Sequence, residues 1–414
     1  MPTFAGYMTN RQLFLQHIAQ TSPAPMGLEP ARAEGVYVWD VQGKQYIDFI
    51  SGFSVMNIGH GNAAVRQAIH AQVDAYMHLM VYGELIEQPQ VAYAQWLIKN
   101  LPASLNCVYF TNSGTEATEG AMKLAKRVTG RTQIIAFNNA YHGSTQGALS
   151  AMGGEYWRQA YRPLLPHVLH VDYNTPQALE AITNGTACVL VEVVQAEAGA
   201  LPANAAWLSA LRQRCTQTGT LLIFDEIQTG FGRTGTLWAF EKYGVVPDVL
   251  LLGKALGGGL PLGAFISSQA HMHTLTHNPV LGHISTFAGH PVCCAAGLAA
   301  AQQLPVLFTQ HNGPWQQNLA NHIALAEQEI RNTLKHPTIQ KITGRGLLLA
   351  VHFKDAVLCQ RICHTCIQMA VITDWFLFAP HCLRIAPPLT ITLPQLQQAC
   401  QVILQAIEQT LHSL

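Results

Sequence analysis

Charged residues are scarce in this sequence, and neither sign is in excess. Lys plus Arg and Asp plus Glu number 23 each among 414 residues, so 11% of the chain is charged and the formal net charge is zero. An average soluble protein is ~25% charged. A nucleic-acid-binding protein or a polybasic membrane anchor would carry a surplus of basic residues, so the sequence predicts neither nucleic acid nor membrane as a partner.

Long apolar runs and a secretion signal are also missing. The most apolar stretches, such as 249–252 and 347–351, fall far short of the ~20 residues that a membrane-spanning helix needs. Residues 1–16 lack the charged start, apolar block and cleavage site of a signal peptide. Ten cysteines in a chain of this length indicate no disulfide framework. We therefore expect a cytoplasmic protein with reduced thiols, and Met8 is as plausible a native start as Met1.

Short apolar runs alternate with helix-like stretches through the middle of the chain, a pattern typical of an α/β domain with a mostly parallel sheet. We predict that residues 50–290 form this large domain. Residues 291–414 are expected to form a smaller α/β domain, which the N-terminal segment 1–49 joins. The predicted strands are 106–112, 132–137, 188–194, 221–225 and 249–252, and the predicted helices include 116–128, 205–217, 314–334 and 394–411.

The segment 111–116 follows a predicted strand and begins a predicted helix. Its residues Ser113, Gly114 and Thr115 offer backbone N–H groups and two hydroxyls at a helix N-terminus, where a phosphate group binds readily. An ordinary helix N-cap uses the same residue types. Taken alone, this segment favours the simpler interpretation as a cap.

Two further strands end next to residues that can do chemistry. Strand 221–225 ends in Asp225, as in a P-loop ATPase, but the sequence contains no Gly-x-x-x-x-Gly-Lys-Ser/Thr. Asp225 is thus a carboxylate at a strand end, where α/β proteins place their sites. Lys254 follows the apolar run 249–252 and precedes three glycines. A desolvated lysine has a lowered pKa and becomes a nucleophile, although a lysine at a strand end can also extend to solvent.

The remaining polar positions do not indicate a catalytic site when each is taken alone. Glu192 and Glu197 follow one predicted strand, and 141–143 (Tyr-His-Gly) follows another. Each is as typical of a polar loop as of a catalytic site. The sequence contains neither His-Glu-x-x-His nor Gly-x-Ser-x-Gly.

Three cysteines have the spacing of a radical S-adenosylmethionine iron–sulfur motif, Cys359-x-x-x-Cys363-x-x-Cys366. The same spacing places them on one face of a helix, and a free cysteine behaves as a small hydrophobic residue. We therefore predict a buried helix face, and no metal.

Together and in this order, the segments resemble the class III pyridoxal-phosphate-dependent aminotransferases, the family of ornithine, acetylornithine, 4-aminobutyrate and ω-amine transaminases. The resemblance runs from about residue 25 to 389. It implies the aspartate aminotransferase superfamily fold (fold type I), with a large, mostly parallel sheet domain and a smaller α/β domain. The most specific stretches are 113–117, 141–143, 225–235, 247–254, 285–287 and 384–388.

The resemblance also implies pyridoxal 5′-phosphate as cofactor and a role for each matching residue. Lys254 would form the Schiff base with the cofactor aldehyde and then move a proton, and Asp225 would keep the pyridine nitrogen protonated. The remaining implied cofactor residues are Ser113, Gly114 and Thr115 at the phosphate, Tyr141 stacked on the ring and its neighbour His142, Gln228 at the ring hydroxyl, and Thr286 at the phosphate of the neighbouring subunit.

Three residues are implied at the substrate, namely Phe53, Glu197 and Arg384. Arg384 resembles an arginine that binds an α-carboxylate. Glu197 matches a glutamate that pairs with this arginine when a terminal amine binds and releases it when a keto acid binds. Phe53 and Thr21 stand where ornithine aminotransferases carry tyrosines. Ser144 replaces an arginine that commonly binds a second carboxylate, which is more like some ω-amine:pyruvate transaminases.

We expect a homodimer with its active site at the interface. It would move an amino group from an ω-amine or amino acid (ornithine, acetylornithine, 4-aminobutyrate or a diamine) to an α-keto acid such as 2-oxoglutarate or pyruvate. Amino-acid epimerases and an aminomutase of the family use the same lysine and aspartate, and remain an alternative. A non-catalytic cofactor-binding regulator is a more distant one, because it would need a fused, basic DNA-binding domain.

Overall fold

The computed structural model describes residues 8–309 and 313–413. The segment 1–7, which separates the two candidate starts, lies outside these residues. Sixteen strands are present in the described part: β1 Pro30–Glu34, β2 Tyr37–Asp40, β3 Gln45–Asp48, β4 Cys107–Thr111, β5 Gln133–Phe137, β6 Val168–Val171, β7 Thr186–Glu192, β8 Val194–Gln195, β9 Leu201–Pro202, β10 Leu221–Asp225, β11 Val249–Leu252, β12 Gly263–Ser267, β13 Lys341–Arg345, β14 Leu348–His352, β15 Val371–Ile372 and β16 Cys382–Ile385.

The helices surround these strands, and four short 3₁₀ turns connect them, the one at Lys254–Gly257 being part of the site described below. The α-helices are α1 Asn10–His17, α2 Ser51–Ser54, α3 Ala63–Ala75, α4 Gln88–Lys99, α5 Gly114–Thr129, α6 Gln146–Ala151, α7 Glu155–Arg158, α8 Pro176–Glu180, α9 Ala205–Thr218, α10 Gln269–His273, α11 Pro291–Leu307, α12 Trp315–Thr333, α13 Ala356–Gln368 and α14 Leu393–His412.

A seven-stranded sheet forms the centre of the molecule, in the order β4-β12-β11-β10-β7-β5-β6. Strand β12 is antiparallel to both of its neighbours, and the remaining pairs are parallel. The predicted mostly parallel sheet is therefore confirmed, and each of the five predicted strands exists within two residues of its predicted bounds. Because β4, β5, β7, β10 and β11 run the same way, the segments that follow them meet at one edge of the sheet.

The described residues also form three smaller sheets, with the strand orders β1-β2-β3-β15, β13-β14-β16 and β8-β9. Strands β13, β14 and β16 form an antiparallel sheet, and the long helices α12, α13 and α14 pack nearby. Strand β15 pairs in parallel with β3, which lies near the N-terminus. Helix α11 packs against α3 and α4. The predicted domain boundaries at residues 50 and 290 stay predictions.

Helix α13 carries Cys359, Cys363 and Cys366 on its buried side, so these cysteines form a packed helix face, as predicted. Burial raises the pKa of the Cys366 thiol to about 12. Among the residues described, no helix combines the length and the apolar composition that crossing a membrane requires.

Candidate active site

A cavity of about 490 Å³ opens at the carboxyl edge of the large sheet. Its walls come from the segments that follow β4, β5, β7, β10 and β11. The structure brings most of the sequence-predicted residues into this cavity, although Ser113, Phe53, Arg384 and Thr286 are outside its wall. The lining residues are Gly114, Thr115, Tyr141, His142, Gly143, Ser144, Thr145, Glu192, Glu197, Asp225, Ile227, Gln228, Thr229 and Lys254.

Lys254 enters the cavity from the turn after β11. Its Nζ donates a 2.7 Å hydrogen bond to Gln228 Oε1. Burial lowers the pKa of this amine to about 8, against the opposing effect of Glu197 and other nearby carboxylates. The backbone of Lys254 has φ +48°, a conformation that residues with a side chain rarely adopt and that often marks functional sites. At neutral pH, a larger fraction of this amine is unprotonated than in an ordinary lysine.

Asp225 ends β10 and is held in place from two sides. Its Oδ2 lies 2.7 Å from Nδ1 of His142, and its Oδ1 accepts a 3.0 Å hydrogen bond from the N–H of Ile227. Both Asp225 and His142 are buried. The carboxylate is therefore fixed in the cavity wall, where it can stabilise a cationic ring nitrogen.

The N-terminus of helix α5 forms one end of the cavity. Ser113 is the N-cap residue and accepts a 3.3 Å hydrogen bond from the N–H of Glu116. The following Gly114 and Thr115 line the cavity. Gly143 approaches them so closely, with φ +124°, that an added Cβ would lie 2.1 Å from Thr115 Oγ1. Free N–H groups at the start of this 16-residue helix can bind a phosphate.

Arg384 lies on β16, behind Glu197, and is 1% exposed. Its Nη1 and Nη2 donate to the two carboxylate oxygens of Glu197 at 2.9 and 3.0 Å, and its Nε donates to Asp374 Oδ1 at 2.9 Å. Burial alone would lower the pKa of Arg384, but the carboxylates of Glu197 and Asp374 raise it above its usual value. Burial alone would raise the pKa of Glu197, but the guanidinium of Arg384 holds it below its usual value.

Two acidic residues of this site were not predicted as site residues from the sequence. Asp374 is the second partner of Arg384, and burial raises its pKa to about 6 despite that cation. Glu192 lines the cavity and accepts hydrogen bonds from the N–H groups of Tyr141 (3.1 Å) and Ala196 (2.9 Å). Burial raises the pKa of Glu192 to about 7. Only the position of Glu192 at a strand end marked it in the sequence, and Asp374 had no such signal.

Two predicted residues lie farther from the cavity. Phe53 is 45% exposed, and its ring lies 5.2 Å from the guanidinium carbon of Arg384. Thr286 is exposed. The adjacent Ser285 accepts a 2.9 Å hydrogen bond from Asn112 Nδ2, so this segment lies beside the N-terminus of α5.

These groups can hold pyridoxal 5′-phosphate. The cavity offers an amine at Lys254, a carboxylate at Asp225 and a helix N-terminus for the phosphate. Buried Gln228 Nε2 has no hydrogen-bond partner among the residues that the structure describes, which indicates that a polar ligand belongs beside it. The residues present therefore fit this cofactor.

Comparison with known proteins agrees with the geometry. The sequence profile of the family described as "Aminotransferase class-III" matches residues 18–407. An acetylornithine aminotransferase of Methanopyrus kandleri is 39% identical over 342 residues, which cover 82% of this chain and 84% of that protein. A second acetylornithine aminotransferase, of Bacillus subtilis, is 35% identical over 379 residues, 91% of this chain and 94% of that protein.

The solved ornithine aminotransferase of Toxoplasma gondii has the same fold, with a TM-score of 0.87 and 27% identity over 97% of this chain and 93% of that chain. That structure holds pyridoxal phosphate at partial occupancy in its active site. The predicted family, fold and cofactor are thereby confirmed. The chain belongs to the class III aminotransferases, and pyridoxal 5′-phosphate is its cofactor.

Proposed function

We propose that this aminotransferase takes its amino group from the terminal amine of ornithine or an N-acylated ornithine and gives it to an α-keto acid such as 2-oxoglutarate or pyruvate. The observation that carries this proposal is the bidentate pair of Glu197 and Arg384 beside the Lys254 cavity. The names of the relatives from Methanopyrus kandleri and Bacillus subtilis support the donor class.

The Glu197–Arg384 pair gives one pocket two charge states. While Glu197 occupies Arg384, the charge of the guanidinium is neutralised, which suits the uncharged chain beside a terminal amine. When a keto acid arrives, its carboxylate takes the place of Glu197 on the guanidinium, because both are planar acceptors for the same fork of N–H groups. This exchange lets two chemically different substrates use one site in turn.

We propose the following work for the residues at the cofactor. Bound pyridoxal 5′-phosphate supplies an aldehyde that condenses with amines and a ring that withdraws electrons. Asp225, oriented by His142, keeps the ring nitrogen cationic. Lys254 Nζ anchors the cofactor and then accepts the proton that the amine-bearing carbon of the donor loses. A pKa of about 8 gives roughly 300 times more free amine at neutral pH than the ordinary value of 10.5 does.

We further propose that the enzyme is a cytosolic homodimer. All ten cysteines are free, as expected for a reducing compartment. One group of exposed apolar side chains lies on two neighbouring segments, which contact each other through His78 and Phe287, whose ring centroids are 4.8 Å apart. We define the patch by its most exposed members, Met77, Leu79, Met80, Leu85, Ile86, Val280, Leu281, Ile284 and Phe287. A patch of this kind is typical of a protein interface.

The test is a spectrophotometric titration of the holoenzyme. N-acetylornithine, ornithine, 4-aminobutyrate, putrescine, lysine and β-alanine would be added separately, and loss of the visible cofactor absorption would be followed with Lys254→Ala as control. We expect the ornithine compounds to bleach the cofactor and 2-oxoglutarate or pyruvate to restore it. Faster bleaching by 4-aminobutyrate or putrescine would reject the donor assignment, and racemisation of an amino acid without bleaching would favour the epimerase alternative.

A further inference from the structure

Two histidines and a cysteine meet outside the cavity, on the small antiparallel sheet. His352 of β14 lies directly opposite Cys382 of β16, so their side chains are close cross-strand neighbours. His381 lies in the turn just before β16, and its ring centroid is 5.4 Å from that of His352. One potential ligand atom from each of the three lies within 4.8 Å of the other two.

Hydrogen bonds determine which ring nitrogen of His352 is unprotonated and can bind a metal ion. Thr343 Oγ1 donates its only proton to the carbonyl oxygen of Gly199 at 2.6 Å. The same oxygen lies 2.7 Å from His352 Nε2 and can only accept there, so Nε2 carries the ring proton. The lone pair of His352 is therefore on Nδ1, which lies 3.2 Å from Cys382 Sγ.

We propose that His352, His381 and Cys382 form a binding site for a thiophilic divalent cation, for which Zn²⁺ is the best match. Imidazole nitrogen and thiolate sulfur are the ligands that Zn²⁺ prefers, and three such ligands leave a fourth position to water. The cysteine gives up its thiol proton to solvent when the ion binds. Thr343 orients His352 from behind, as outer partners of metal-bound histidines commonly do.

The position of the cluster separates it from the catalytic groups. Cys382 is buried, whereas His381 is half-buried, so an ion can enter from the His381 side. The cluster lies next to the loop that carries Glu197. Thr343, which contacts His352, donates a hydrogen bond to the carbonyl oxygen of Gly199, two residues after Glu197. The proposal does not depend on the identity of the amino donor.

The first experiment measures zinc on the holoenzyme. After equilibration with Zn²⁺ and removal of loosely bound metal on a weak chelating resin, we expect one zinc per chain by plasma mass spectrometry. X-ray absorption at the zinc edge should show one sulfur ligand at about 2.3 Å and nitrogen ligands at about 2.0 Å. No retained zinc, or a shell of nitrogen and oxygen only, would overturn the proposal.

Variants locate the site. Cys382→Ser and His381→Asn should each weaken zinc affinity by ~10-fold or more. The second variant guards against misfolding, because the backbone carbonyl of His381, and not its ring, makes the bond to Phe353. Cys400→Ser is the matched control, since that thiol is also fully buried and belongs to no such ligand group in residues 8–309 and 313–413. Equal zinc binding by all three variants would place the metal elsewhere.

Thr343→Val tests the orienting hydrogen bond. The variant preserves the shape of the side chain and removes the acceptor for His352 Nε2, so zinc affinity should fall ~10–100-fold while the sulfur ligand remains in the absorption spectrum. Unchanged affinity in this variant would mean that His352 is not a ligand through Nδ1.

Discussion

The side chain of Lys254 is half-buried, and desolvation lowers the pKa of its amine to about 8, below the 10.5 of a free lysine. Between these two values the unfolded chain binds more protons than the folded chain, so the stability of the cofactor-free protein should rise with pH over that range. Below pH 8 the buried charge costs on the order of 3 kcal/mol. Lys254→Met should therefore stabilise the cofactor-free protein at pH 7, and this gain should shrink toward pH 10.

Urea unfolding of the cofactor-free proteins at pH 7, 8.5 and 10 measures this effect. Lys99→Met is a suitable control, because Lys99 is exposed at the end of α4. A stability gain for Lys254→Met that stays constant across the pH series would contradict a lowered pKa at this residue.

Glu197 is expected to decide which substrate Arg384 receives. Glu197→Gln keeps the shape of the side chain and removes its charge. The carboxylate of Glu197 then no longer competes with a substrate carboxylate for Arg384. We expect KM for the keto acid to fall ~10-fold and the half-reaction with the terminal amine to slow, since a free cation then lies beside that donor. Single-turnover rates for each half-reaction separate these effects. Equal changes in both half-reactions would argue against a switching role.

Ser144 leaves the position after His142-Gly143 without a cation. It lies in the cavity wall and its hydroxyl is 3.2 Å from that of Tyr141. Ser144→Arg should favour a keto acid with two carboxylates, raising kcat/KM for 2-oxoglutarate relative to pyruvate by ~10-fold, because a bidentate ion pair forms at the second carboxylate. Ser144→Gln, similar in length but uncharged, is the control. An unchanged ratio would show that the second carboxylate binds elsewhere.

At the scale of elements, helix α5 lies tightly on the large sheet. Gly120 faces β12, and a Cβ added there would lie 2.3 Å from Cε1 of Phe265. Gly120→Ala should lower the free energy of unfolding by ~1–3 kcal/mol through overpacking. Adding Phe265→Leu to this variant should restore part of the loss, since it removes the atoms in conflict. Denaturant unfolding of both single variants and the double variant measures the coupling, and strictly additive losses would contradict the packing.

The sequence predicted the central strands well and the atypical ones poorly. Strands β7, β10 and β11 are short apolar runs that are fully buried, so their pattern is plain. Strand β6 was missed because it contains a histidine and is only partly buried at the edge of the sheet. Strand β12 was missed because it begins with glycine just after the Gly-rich turn, and nothing local reveals that it runs antiparallel.

The candidate site shows the same division. Lys254 and Asp225 could be found because each follows an apolar strand, and parallel strands bring their carboxyl ends together. The acidic partner Asp374 could not be found, because its contact with Arg384 depends on a short local pairing of Trp375 with Leu383 that no pattern in the sequence marks. Glu192 was visible but carried no distinguishing feature, since its burial and its raised pKa depend on the folded surroundings.

At the scale of the whole molecule, the exposed apolar patch bears on whether one chain completes its own site. Ile86 is 96% exposed, so this large apolar side chain is not used in the core of the chain. Covering this patch in a homodimer would bring the exposed segment with Thr286 to a second chain. Ile86→Asp should therefore shift the protein toward monomer in light-scattering chromatography, because burying an unpaired charge in the interface costs free energy. A dimer that survives this change would direct attention to another surface.

Mixed dimers can show whether Thr286 serves the neighbouring site. Thr286→Ala should weaken cofactor binding roughly 10–100-fold, the effect of one lost hydrogen bond to a charged group, and Lys254→Ala should be inactive. In a dimer of one Lys254→Ala chain and one Thr286→Ala chain, the functional lysine faces the intact threonine of its partner. At limiting cofactor, such a doubly tagged dimer should regain about half of the wild-type activity. If Thr286 acted on its own chain, the only site with a lysine would still lack it, and the mixed dimer would have about half of the activity of the Thr286→Ala dimer.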